Sequence, residues 1–155
     1  MLATIGYQGA SVENFVGTLK SARIERLLDV RAVPWSRRAE FTKRNLSASL
    51  ATAGIAYEHL PALGNPEAGR EAAKAGRFDD YRSLYSEQLD SAEGQAGLTQ
   101  AAARAREGCV ALMCMERDHE RCHRAMAAAR LADMLGEEVR HLRVEAGPES
   151  LPLFR

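Results

Sequence analysis

Cys114, Cys122, His123 and Arg124 place two thiols, an imidazole and a guanidinium within one short stretch of the chain. Cys114 follows an apolar run, Cys109 to Met113, that reads as a buried strand, and the Cys-His-Arg triplet opens a helix reaching Leu135. A helix start carries backbone N–H groups without internal partners and a partial positive charge, so it attracts anions. With Arg117 and Arg121 in the intervening loop, Cys114 is expected to be held as a thiolate, the form in which cysteine is a nucleophile or redox group. Arg124 has the geometry to grip phosphate, sulfate or carboxylate, Glu116 and Cys122 border the same loop, and His123 is a candidate proton carrier. A thiol reagent should then reach Cys114 before Cys109, which starts the strand at the far edge of the sheet. The competing reading makes Cys114 a small buried apolar group like Cys109, and has Arg124 pair with Asp29 or Glu116 to order the loop.

Asp29 and Arg31 end an earlier apolar run and, two apart on a strand, point to one face. Asp29 is a second candidate for moving protons and Arg31 for holding an anion, although opposite charges at a strand end also hold each other. Gly6 and Tyr7, after the first strand, and Ser36, in the loop after Arg31, complete the expected anion site. The Gly6-Tyr7-Gln8-Gly9 turn is neither a dinucleotide fingerprint nor a P-loop.

Cys114, His119, Cys122 and His123 have the ligand types of a zinc site, but without a paired C-x2-C their spacing argues against a closed cage. No metal and no cofactor is assigned. A phosphatase-like cysteine loop is disfavoured, because Glu120 stands where its arginine belongs and Arg121 comes one place late. Trp35, Arg37, Arg38, Phe41, Lys43 and Arg44 interleave aromatic and basic residues, as nucleic-acid surfaces do. A solvated basic face with Trp35 and Phe41 packed inward is the preferred account of residues 35–44.

The elements that must position these groups follow from periodicity. Leu2 to Ile5, Ile24 to Val30, Ile55 to Leu60, Cys109 to Met113 and Glu138 to Leu142 read as strands, separated by helical patterns such as Val12, Phe15, Val16 and Leu19. Ser11 and Ser36 are candidate helix caps, and Gly54 closes the helix carrying Leu46 and Leu50. Residues 61–76, broken by Pro61, Gly64, Pro66, Gly69 and Gly76, read as a mobile loop and a candidate lid. The alternation predicts one α/β domain over residues 1–155, three-layered and Rossmann-like, with a mostly parallel sheet and helices on both faces. A short tail from about residue 146, carrying Leu151, Leu153 and Phe154, is expected to dock on the body. Ligands in such sheets bind at the strand carboxyl ends.

Composition narrows the partners. With 21 Lys plus Arg against 21 Asp plus Glu in 155 residues, no global field draws the chain to nucleic acid or membrane, so any nucleic-acid binding should be weak and salt-labile. Three cysteines clustered late, with no signal-like or membrane-spanning run, point to a reducing cytoplasm. The oligomeric state is not legible.

Several separated motifs also carry a resemblance: Thr4-Ile5-Gly6-Tyr7; Asp29-Val30-Arg31 with Pro34 and Ser36; Gly54-Ile55-Ala56-Tyr57 with Leu60 and Leu63-Gly64; and Ala111-Leu112-Met113-Cys114-Met115-Glu116 leading to Cys122-His123-Arg124. Together they resemble DUF488, a family named for its unknown function. The resemblance implies a small α/β domain and marks these positions as the family's site, without supplying a reaction. Asn65 stands where a second glycine is expected and His119 where proline is common. The functional expectation is a small enzyme acting on an anionic small molecule or nucleotide. The alternative is a non-catalytic module binding nucleotide or nucleic acid through residues 35–44.

Overall fold

The computed structural model describes residues 1–119 and 122–145. Five strands, β1 (Leu2–Gly6), β2 (Arg26–Asp29), β3 (Ala56–His59), β4 (Val110–Cys114) and β5 (Val139–His141), form one sheet in the order β3-β2-β4-β1-β5. Every pairing is parallel, so the sheet is wholly rather than mostly parallel. Six helices connect the strands: α1 (Val12–Ser21), α2 (Lys43–Thr52), α3 (Glu67–Lys74), α4 (Phe78–Asp90), α5 (Ala92–Glu107) and α6 (His123–Leu135). No described helix is long and apolar enough to cross a membrane.

Strand side chains alternate between the two faces. Ala3, Ile5, Leu27, Ala111 and Met113 meet Phe15 and Leu19 of α1 and Leu46 and Leu50 of α2 on one face. Leu2, Leu28, Leu112 and Cys114 meet Tyr85, Leu98, Ala101 and Leu131, from α4, α5 and α6, on the other. Parallel connections are right-handed, so reversing the direction of travel across the sheet moves the helices to the opposite face. The chain moves outward through α1 and α2 and returns through α3 to α6. Between β1 and β4 the departing connections therefore diverge, which is where such sheets open a crevice.

Ser11 caps α1 as expected, its Oγ accepting from the Asn14 N–H at 3.1 Å. Ser36 does not cap a helix: its Oγ accepts from the Arg38 N–H within a turn, and Thr42 occupies the N-cap of α2. Residues 61–76 are more ordered than their glycines suggest, because they contain a 3-10 turn, Pro61–Leu63, and α3. Gly69 packs inside that helix against the Asn65 side chain, and Gly76 ends it at φ +76 where a side chain is strained. Both are read from sequence as breakers, yet one is a contact and the other a cap. The tail from residue 146, and the positions of Glu120 and Arg121, lie outside the described residues.

Candidate functional site

Cys114 is the last residue of β4, paired in register with Gly6 at the end of β1. Cys122 is the N-cap of α6, its Sγ accepting from the Arg124 N–H at 3.5 Å. A disulfide joins the two, with Cα atoms 7.3 Å apart. Cys114 is 1% exposed, whereas Cys109, unpaired by disulfide, is only partly buried. This corrects the expected order of accessibility. The loop segment at Glu116 and Arg117 folds back over the paired ends of β1 and β4, while Cys109 precedes β4 at its other end.

Arg124 is wholly buried beneath that loop. Its Nη1 donates to Cys114 Sγ at 3.3 Å and to the Glu116 carbonyl, and its Nη2 donates to the Arg117 carbonyl at 3.4 Å. Burial pushes its pKa down to about 10, against the pull of Glu116 and Asp118. The Glu116 carboxyl, with Oε2 3.5 Å from Cys114 Sγ, is pushed up by burial. His123 Nε2 lies 2.7 Å from the Val30 carbonyl, which only accepts, so Nε2 carries the proton and Nδ1, 3.8 Å from Cys122 Sγ, presents a lone pair. Enclosure of the ring lowers its pKa to about 4, the Val30 bond opposing and Arg124 assisting. The imidazole is neutral near pH 7.

Asp29 and Arg31 belong to the other face, because Asp29 alternates with Leu28 and shares the side of Leu27. Arg31 Nε donates to Asp29 Oδ1 at 2.9 Å and Nη2 to Oδ2 at 2.7 Å, a two-pronged buried pair. Its Nη1 donates to the Phe41 carbonyl at 2.7 Å and to Tyr7 Oη at 3.4 Å. The Tyr57 hydroxyl donates to Asp29, and His59 Nε2 lies 2.7 Å from the Arg31 carbonyl. Burial works against the Arg31 charge, but Asp29 beside it raises the pKa well above the usual range. Burial and then Asp29 raise that of Tyr57.

The structure thus brings the sequence-selected residues to one edge of the sheet but divides them between its faces: Cys114, Glu116, Cys122, His123 and Arg124 on one, Asp29, Arg31 and Tyr7 on the other. Gly6 lies between them, and both arginines direct their guanidinium groups at protein atoms.

An open cleft of about 590 Å³ adjoins this edge, lined among others by Tyr7, Trp35, Arg37, Arg70, Lys74 and Met115. Gln8 stitches its floor, its N–H donating to the Met115 carbonyl at 2.8 Å and its Oε1 accepting from the Arg117 N–H at 3.2 Å. Ser36 also lines the cleft. Phe41 is buried as expected, but Trp35 is 63% exposed, so the two aromatics do not share an inward face. Arg38 pairs with Glu40 and covers the Phe41 ring, whereas Arg37, Arg70 and Lys74 make no ion pair among the described residues. Sequence reasoning missed Arg70 and Lys74, four apart on α3, because their segment reads as loop; their i, i+4 spacing was the available signal. It also left Tyr57 and His59, alternate residues of β3, without a role.

Among known families, the domain of unknown function DUF488 matches residues 11–131. No curated protein and no solved structure matches.

Proposed function

The chain belongs to the DUF488 family, whose membership brings no reaction with it, and from the geometry we propose that the protein binds a nucleotide in the cleft beside β1 and β4. One observation carries the reading: the exposed Trp35 lines a cleft that is also bordered by Arg37, Arg70 and Lys74. An indole is a stacking platform for a base, and cations at the same cleft suit a phosphate. Zero formal net charge fits a local rather than a global attraction for anions.

Trp35 is the single tryptophan in the chain, so its fluorescence reports on the cleft alone. Mononucleotides should quench it saturably while inorganic phosphate, lacking a base, does so weakly. Arg70→Ala or Lys74→Ala should weaken binding by roughly three- to tenfold, about 1 kcal/mol each. Absence of saturable quenching at millimolar nucleotide would sink the proposal. Quenching only by single-stranded nucleic acid would replace it with a nucleic-acid-binding module.

A second reading, an enzyme acting through Cys114 on the same anion, is favoured by the Arg124 donor 3.3 Å from the sulfur. It requires two electrons from an external dithiol, which leaves as its own disulfide, to open the Cys114–Cys122 bond, and displacement of the residues covering Cys114.

A further inference from the structure

We propose that Cys114, Cys122 and His123, once the two cysteines are reduced, form a binding site for one thiophilic divalent cation of the zinc type. The site is independent of what the cleft binds.

Three observations support it. Cys114 Sγ, Cys122 Sγ and a His123 ring nitrogen all lie within 4.8 Å of one another. A tetrahedral ion with zinc-like bond lengths holds neighbouring sulfur and nitrogen ligands roughly 3.5–3.8 Å apart, and Cys122 Sγ lies 3.8 Å from His123 Nδ1. The Cα separation of 7.3 Å for the cysteine pair leaves room for an ion between the two sulfurs once they are reduced.

The surroundings are also those of a ligand set. His123 Nε2 is fixed by the Val30 carbonyl at 2.7 Å, the outer-shell bond that orients a metal-binding imidazole and turns the opposite nitrogen toward the ion. Arg124 donates from its backbone N–H to Cys122 Sγ and from Nη1 to Cys114 Sγ, so both sulfurs have donors that favour thiolate. Two thiolates neutralise a dication, and the Glu116 carboxylate balances Arg124. The spacing that looks wrong for zinc in the sequence becomes workable because a strand end supplies one sulfur and a helix cap the other.

The chemistry balances. An external dithiol delivers two electrons and two protons to the disulfide and leaves as its own disulfide, giving two thiols. The cation then replaces their two protons, which pass to solvent, and no further redox change occurs.

The test uses the full chain, reduced with a dithiol and desalted without oxygen, and titrated with Co²⁺ and then Zn²⁺. The expected result is one Co²⁺ per chain with sulfur-to-cobalt charge-transfer absorption, displaced by one Zn²⁺. The disulfide form should bind none. Cys122→Ser should lose part of the charge-transfer band and bind at least about a hundredfold more weakly, while His123→Gln keeps the band and loses at least the roughly tenfold in affinity that removal of a mere outer-shell partner costs. Cys109→Ser should behave as wild type. Should the cysteine variants unfold, alkylation of the wild-type chain decides: Zn²⁺ should shield two of the three cysteines, and a chelator should release them. A reduced chain with native circular dichroism that takes up no cobalt, or equal labelling of all three cysteines with and without Zn²⁺, overturns the proposal.

Discussion

Gly6 and Cys114 are paired residues at the ends of β1 and β4, and a Cβ on Gly6 would lie 2.7 Å from the Glu116 carbonyl carbon and 3.0 Å from Arg124 Nη1. The missing side chain lets the loop after Cys114 fold back over β1 and seat the guanidinium beneath it. Gly6→Ala should therefore destabilise the protein by about 1–3 kcal/mol through overpacking. Gly17, inside α1 with nothing within 4 Å of where its Cβ would stand, is the control. Gly17→Ala should stabilise by about 0.5–1 kcal/mol, since glycine costs a helix backbone entropy. Equal effects in urea denaturation would remove the close-approach argument.

Asp29→Ala leaves the Arg31 guanidinium buried and uncompensated, an arrangement that costs about 3–5 kcal/mol. Removing the exposed partner of Arg82 with Asp79→Ala should change stability by less than about 1 kcal/mol. Denaturant midpoints for the two variants check the contrast. A mild Asp29→Ala would mean that Arg31 finds water or another acceptor.

Tyr57, Tyr81 and Tyr85 all have raised pKa values, with burial the largest cause in each, and Tyr81 reaches about 12. A phenol whose folded pKa exceeds its unfolded value of about 10 contributes stability that is whole below that value. The contribution is lost as pH climbs toward the folded pKa. Stability should fall above about pH 10, with these rings forming tyrosinate late or only on unfolding. Near-ultraviolet absorbance against pH, followed beside circular dichroism, tests this. Tyr85→Phe, which loses the 2.6 Å bond to the Leu63 carbonyl, should cost about 1 kcal/mol at neutral pH.

In the native disulfide form, a maleimide should label Cys109 and leave Cys114 and Cys122 untouched until the chain is reduced. Peptide mass mapping after brief labelling gives the answer. Label on Cys114 without prior reduction would contradict the covered, paired state.

The fold was legible because alternation and helical spacing recur through the chain, and the strand centres Leu2, Leu27, Val110 and Val139 all lie in the sheet; the Ile55 run begins pairing at Ala56. The site was legible as an edge but not as two faces. Within β2, spacing shows that Asp29 and Arg31 share a side, but nothing in one strand tells which side of another strand matches it. Only the pairing of Asp29 with Met113 places Cys114 across the sheet from Asp29. Trp35 lies in a loop without a period, so its direction was not encoded in spacing. The meeting of Cys114 with Cys122 depends on how the intervening loop closes, which residue types alone do not fix.

The central position of β4 has a consequence for the order of assembly. β1 and β2 are separated in the sheet by β4, so they have no bond to each other to make, and their shared neighbour begins at Val110. A chain emerging from the ribosome carries both with their inner edges unpaired until most of its length has been synthesised. Early on, only β2 with β3 can pair locally through α2. Closure of the sheet therefore awaits contacts of long sequence separation, which slows folding and prolongs exposure of strand edges to other chains. The residues that complete the sheet, Val110 to Cys114, are the ones that deliver the first sulfur, so the thiol pair assembles only as the fold itself closes.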